Sequence, residues 1–379
     1  MPALSIIVLA AVLASQSSFQ TDARPQQPES VAPEPLSGEA VTRIAFGSCF
    51  NPNRQPHTIW DAVEAYDPEV FVMLGDNVYA DTEDMAKMRA DYDALDAIPA
   101  FARVKEAAHF LATWDDHDFG QNDAGAEYPK RAESQQVMLD WAGEPEDTWR
   151  RRTPGIYDAE VFGPEGQRVQ VILLDTRYFR GPLATGERDR DWADGIAGGY
   201  VMDFDSSSTM LGAAQWAWLE HVLEQPADLR IIASSIQIIP EDHRFEKWAN
   251  LPRERARLFE VIEGAAAEGV VFISGDRHRA EISRFDPGRA TPGAGTFDGY
   301  TLYEITSSAL NRSSSGRTFE DRFSNELNRH VVGNQYQANN FGSITIDWAN
   351  ERLTLAIHRE NGQPAMMQAV EFDELARGR

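Results

Sequence analysis

The segment "WDDHDFGQND", residues 114 to 123, sets three aspartates and a histidine in four consecutive positions, 115 to 118. Ionised and close together, such carboxylates repel one another, and a bound cation is the usual relief. The plain alternative is a solvated acidic loop with one aspartate capping a helix. The cluster directly follows the apolar "FLATW" instead of lying in a polar tract, and that placement favours a site. His117 then has two tasks open to it: ligating a cation or protonating a leaving oxygen.

Two further segments repeat the design. In "GDNVYAD", Asp76 follows an apolar run and the tight Gly75, so its two carboxylate oxygens can bridge two cations. Tyr79, three positions on, offers a phenolate where a strongly acidic metal lowers its pKa. Gly-Asp is also a common strand-ending turn, so this motif is weak by itself. In "SGDRHRAE", Asp276 and His278 stand two apart, and an extended backbone would point both the same way to chelate one ion. A lone histidine is more often structural than a ligand. Cys49, in "RIAFGSCF", is the only cysteine and so forms no internal disulfide; taken alone it reads as an inert buried thiol.

The elements that must position these residues follow from hydrophobic patterning. "VTRIAFGS", "PEVFVMLGD", "AHFLATW", "RVQVILLD" and "GVVFISGD" read as strands, with "HTIWDAVEAY", "DTEDMAKMRADYDALD", "GAAQWAWLEHVLEQ" and "PRERARLFEVIEGAAAEG" as helices between or after them. The last helix opens on Pro252 and is expected to close on Gly269. "YTLYEITSS", "FGSITIDWAN" and "RLTLAIHRE" return to strand character, with a turn at Asn350. The alternation is that of an α/β fold. Four buried runs end in acidic or histidine residues: Asp76, Asp115 to Asp118, Asp175, and Asp276 with His278. Ligands in open α/β sheets gather beyond the carboxyl ends of strands, so these tails are expected to converge.

Competing chemistries lack their signatures. There is no G-x-S-x-G elbow and no P-loop, and "PGAGTFDGY" lacks dinucleotide spacing. A net charge of −25 opposes binding to nucleic acid or anionic lipid, and an anionic substrate would need local cations to overcome that field. A length of 379 residues suffices for one large core, and one domain over 41–375 is expected. The uncharged apolar run from Leu4 to Ala14 is too short to span a bilayer and fits a secretory signal within residues 1–20, although its leading residues carry no lysine or arginine. The proline-rich residues 21–40 read as a linker. The expected location is therefore outside the cytoplasm, periplasmic or extracellular, with no transmembrane segment in the mature chain.

In order, "FGSC", "LGDNVYAD", "WDDHDFGQND", "LDTRYFR", "LGAAQWAWLE", "SSIQIIP", "SGDRHRAE" and "ITSSALNRS" resemble the PhoD-like alkaline phosphatases, a branch of the calcineurin-like metallophosphoesterases. Gly-Ser-Cys in place of the broader superfamily's Asp-x-His is typical of that branch. The resemblance implies two packed mixed β-sheets flanked by helices, a four-layer αββα fold with metals at the sheet ends. It implies hydrolysis of small-molecule phosphate monoesters, and often diesters, with ferric iron and calcium ions. Carried over, Asp76 is the bridging carboxylate, Cys49 and Tyr79 the iron-side ligands, and Asp116, Asp276 and His278 further ligands. The separate amino-terminal β-domain of longer members is not expected here, which bears on substrate access.

A cation cluster would clamp the phosphate, acidify water and stabilise charge during in-line displacement. The expected route is direct attack by metal-activated hydroxide without a phosphoenzyme, with His117 and Arg177 assisting at the leaving group and phosphate oxygens. A phosphodiesterase or phospholipase D-type enzyme is the rival within this chemistry. The non-enzymatic rival is an exported calcium-binding protein using acidic loops such as "RDRDWADG", but no complete EF-hand pattern is present.

Overall fold

Short apolar runs bounded by glycine and polar residues become parallel strands joined by helices, as a parallel sheet requires. The computed structural model describes residues 38–186, 199–288, 297–314 and 326–378. The expected signal, all but the end of the expected linker, and "RDRDWADG" lie outside the described residues. Three strands, β1 (Arg43–Gly47), β2 (Val70–Leu74) and β3 (His109–Thr113), lie side by side and parallel. Helix α1 (Ile59–Tyr66) makes the first crossover, and α2 (Met85–Asp96) with α3 (Pro99–Ala107) makes the second. After β3 come the single turn α4 (Asp116–Phe119) and α5 (Arg131–Ala142).

The chain then builds a second sheet from β4 (Asp158–Phe162), β5 (Val169–Leu173), β6 (Leu229–Ser234), β7 (Val270–Ser274), β8 (Ala280–Phe285) and β9 (Leu302–Ser307). Its order is β4-β5-β6-β7-β9-β8, with β5, β6, β7 and β9 parallel and the two edge strands antiparallel. Helices α6 (Gly212–Leu223) and α7 (Pro252–Gly264) supply crossovers. A closing meander, β10 (Asn340–Asp347), β11 (Arg352–Arg359) and β12 (Pro364–Glu371), returns to the first sheet, whose order is β12-β11-β10-β1-β2-β3.

Strand alternation separates two cores. Ile44, Phe46, Val70, Val72 and Leu74 join one buried cluster with Val171, Ile231 and Phe272 of the second sheet and with Trp216 and Leu258 of α6 and α7. The intervening Ala45, Phe71 and Met73 face a second cluster built with α1, α2, α3 and α5. Each large apolar side chain so buried contributes about 1.5–3 kcal/mol. The two sheets thus pack face to face between helices, and the parallel strands of both end in loops that meet. One boundary differs from expectation: α7 stops at Gly264, and Gly269 instead serves the entry to β7. With φ of +69°, Gly269 sits where a Cβ would come within 2.3 Å of the Asp228 carbonyl.

Candidate metal centre

The loops after β1 and β2 are stitched together: Phe50 N donates to Asp76 O at 2.9 Å, and Cys49 N to Gly75 O at 3.3 Å. The loop after β9 reaches across from the other sheet, where Leu310 N donates to Ser48 O at 3.0 Å and Asn311 N to Cys49 O at 3.3 Å. Gly75, at φ +95°, permits close approach to β3, since a Cβ there would lie 2.5 Å from the Asp115 backbone N. Cys49, Asp76, Asp276 and His278 all have positive φ, at 59°, 50°, 68° and 54°. Left-handed backbone is uncommon outside glycine, though Asp and His adopt it more readily than Cys, and the surrounding contacts hold these residues there. The expectation that Asp276 and His278 share an extended segment is therefore corrected: a left-handed turn presents them.

Three overlapping groups of donor atoms result, the atoms within each lying within 4.8 Å of one another: Cys49, Asp76 and His278; Asp76, Asp116 and His117; Asp116, Asp123 and Glu246. Asp76 links the first two and Asp116 the last two. The Cys49 Sγ lies 3.4 Å from Asp76 Oδ2, and the Tyr79 hydroxyl lies 3.0 Å from both Asp76 Oδ2 and His278 Nε2. The buried oxygens Asp76 Oδ1, Asp115 Oδ2 and Asp276 Oδ2 have no hydrogen-bond partner among the described residues. Buried carboxylate oxygens without partners, in the same loops as a thiol, a phenol and imidazoles, are a donor set that fits cations. Asp276 belongs to none of the three groups; its Oδ2 lies 3.8 Å from Arg277 Nη1.

Burial and Asp76 raise Cys49 well above its usual pKa, and burial, Asp76 and Cys49 do the same to Tyr79. Burial and neighbouring carboxylates also raise Asp76, against His117, and raise Asp276, against Arg277. Burial works against a charged His117, but Asp116, Asp76 and Asp81 outweigh it and push its pKa up to about 11. Its Nδ1 lies 2.8 Å from Asp81. Beside it opens a cavity of about 460 Å³ lined by Asp81, Thr82, Glu83, Gln121, Asn122 and Tyr128.

The other aspartates of the segment do different work. Asp118 accepts from the backbone N of Asp115, Asp76 and Asn77 and from Asn77 Nδ2, fastening the β2 and β3 loops together. Asp115 accepts from Ser235 Oγ at 2.6 Å and from Arg177 Nε at 2.7 Å. Arg177, expected at phosphate oxygens, is wholly enclosed, and its Nη2 also pairs with Glu246 at 2.6 Å. Asp175 does not join the donor groups: Trp114 Nε1 and the backbone N of Arg177, Tyr178 and Ile156 occupy its oxygens.

Sequence reasoning missed Asp123, Glu246, Asp81 and Arg312. Asp123 closes the very segment read as a site. The Arg312 guanidinium, in "ITSSALNRS", stacks 4.2 Å from the Tyr79 ring centroid, and its buried Nε has no hydrogen-bond partner among the described residues. Glu246 is a single acidic residue in a mixed polar stretch and carries no sequence signal.

Fold and site together define the class: a two-sheet α/β protein whose parallel strand ends gather sulfur, nitrogen and oxygen donors of the kinds cations take. A family model described as PhoD-like phosphatase matches residues 44–357, and the chain belongs to that family. Alkaline phosphatase D of Bacillus subtilis (strain 168) is 22% identical over 245 residues, 59% of this chain and 41% of that protein. The match thus spans about two fifths of the curated relative. A solved structure titled "Structure of PhoD" superposes with a TM-score of 0.66 at 16% identity, covering 89% of this chain and 73% of the other, a likeness of fold.

Proposed function

We propose that this chain is an exported, metal-dependent hydrolase of small-molecule phosphate esters, acting on monoesters first and diesters second. Residues 1–20 would be its signal, 21–40 its linker and 41–375 its catalytic domain. The observation that carries the reading is the chain of three overlapping donor groups with orphaned carboxylate oxygens at the meeting of the strand ends. Cys49, Asp76, Tyr79 and His278 suit ferric iron, since a thiolate and a phenolate favour a strongly acidic ion. Asp116, Asp123 and Glu246 offer only oxygen, which suits calcium, and Asp276 is a further ligand. When bound, such cations neutralise phosphate oxygens and acidify water, which lets a protein of net charge −25 accept an anion.

The chain's own residues supply the rest. His117, oriented by Asp81, donates its proton to the departing ester oxygen, with the adjoining cavity receiving the alcohol. Arg312, half-buried over Tyr79, is the cation that meets phosphate oxygens. Arg177 acts one step removed, fixing Asp115 and the donor-group residue Glu246. Displacement is direct, with no covalent phosphoryl-enzyme. Iron and calcium analysis of purified protein, paired with assays on phenyl phosphate and bis(4-nitrophenyl) phosphate, tests the reading. His117→Asn should lower kcat on phenyl phosphate by about 100-fold, and less where the alcohol leaves easily. Metal-loaded protein that cleaves neither ester overturns the proposal, and cleavage of the diester alone changes the substrate class.

A further inference from the structure

Adjoining the Asp276 to His278 turn is a group of basic side chains that the reaction above does not use. The segment after β6 supplies His243, Arg244 and Lys247, and the turn after β7 supplies Arg277 and Arg279. The Arg277 guanidinium lies 3.7 Å from the Phe245 ring centroid, and that of Arg244 lies 5.6 Å from it, so the half-buried Phe245 organises a pair of cations. Lys247 is 3% exposed, and its Nζ donates to Phe245 O at 3.1 Å, with no ion pair among the described residues. An ammonium has three donors, so most of its capacity is unmet.

His243 makes the same point more sharply. Burial, with Arg277, Lys247 and Arg279 nearby, holds it well below the usual histidine pKa, so the ring is neutral. Its Nδ1 accepts from Phe245 N at 3.3 Å, which leaves the proton on Nε2. That buried Nε2 has no hydrogen-bond partner among the described residues, and neither has the buried Nε of Arg277. An unmet buried donor is unfavourable, and several side by side make sense where a ligand brings acceptors.

Among the described residues, the carboxylates facing this group have other partners as well. Asp242 is held by Arg329 at 2.9 Å. Glu281 accepts from the amides of Gln237, Gln335 and Asn328. Among the described residues, Asp276 lies 3.8 Å from Arg277, and Glu326 lies 2.7 Å from Arg277 and 3.7 Å from Arg279. In a chain of net charge −25, the buried Lys247 ammonium and the unmet donors of His243 and Arg277 gather in one place, tied through Arg277 to the residues on either side of it.

We propose that His243, Lys247, Arg277 and the rim residue Arg244 form a second anion subsite, and that the preferred substrates are phosphate esters whose alcohol carries another phosphate group. The subsite holds the second phosphate while the first is cleaved at the metal centre. This rests on the phosphate-ester reading above. The test compares fructose 1,6-bisphosphate with fructose 6-phosphate. Wild type should favour the bisphosphate by about tenfold in kcat/KM, through KM, and Lys247→Met should erase that preference while thermal unfolding confirms a folded variant. Arg244→Gln, at the half-exposed rim, should reduce the preference in the same direction and provides the reading if Lys247→Met does not fold. Equal kcat/KM for the two esters in wild type, or a preference untouched in folded variants, overturns the inference and leaves the phosphatase reading standing. Calorimetry with inorganic phosphate needs no turnover: Lys247→Met, or Arg244→Gln in its place, should weaken one binding event, and an unchanged isotherm overturns the subsite even if neither ester is cleaved.

Discussion

At the scale of single residues, Cys49 is the test of what the centre holds. The thiol is completely buried, lies 3.4 Å from Asp76, and is held protonated by burial and that carboxylate. A redox or nucleophilic role needs an accessible thiolate, which this environment denies. On the proposed reading, direct ligation would remove the proton and relieve the repulsion. Cys49→Ala should therefore fold, with Tm within a few degrees of wild type, yet lose its iron and any thiolate-to-iron band in the visible spectrum. An iron-loaded, fully active alanine variant would return Cys49 to the role of a small core residue.

At the scale of elements, the site depends on loops being locked to one another, and Asp118 is the clasp. Three backbone N–H groups from two loops converge on its carboxylate, with Asn77 Nδ2 as a fourth donor. An asparagine presents one acceptor oxygen and turns an N–H toward N–H groups. Asp118→Asn should cost about 3 kcal/mol, the scale of two lost charge-assisted bonds, and should weaken metal retention as well. Equal unfolding midpoints and metal content in the two proteins would refute the clasp. This division of labour also marks what the sequence can reveal. The strand-ending runs before Asp76, Asp116 and Asp276 were legible because apolar periodicity stops at a glycine or an acidic cluster. Asp175 has the same local signature, yet its oxygens are taken by the N–H groups of its own turn, Arg177 and Tyr178, and by the Trp114 indole and Ile156 N from elsewhere. The helix α5 and the edge strands β4 and β8 were not legible. Helix α5 buries Ser134 and Gln135 beside its apolar residues, and β4 is half-exposed along most of its length, so neither shows a clean period. The enclosure of Arg177 depends on Glu246, 69 positions later, a pairing that no local pattern encodes.

At the scale of the whole molecule, the donor groups lie where loops from both sheets hold each other, so occupancy of the site and stability of the fold are one equilibrium. Without cations, burial and neighbouring carboxylates raise Asp76 and Asp276 well above an ordinary aspartate, and burial, opposed by Arg177, puts Asp115 at about 6. Asp116 moves the other way, lowered by His117 and Arg177 against burial. For the three raised groups the folded state binds more protons than the unfolded chain, whose aspartates titrate near 4. Their contribution to stability is therefore present at low pH and is lost as pH rises from about 4 through their folded values. Bound cations require the ionised carboxylates and thiolate, so the dependence reverses in the loaded protein. Chelator-treated protein should unfold about 5 °C lower at pH 8 than at pH 5.5, whereas protein with iron and calcium should be the more stable at pH 8. Thermal unfolding at both pH values, with and without chelator, reads the sign directly. If chelation leaves the pH 8 midpoint unchanged, the carboxylates are satisfied without cations, and the acidic cluster is a structural network of the two-sheet core.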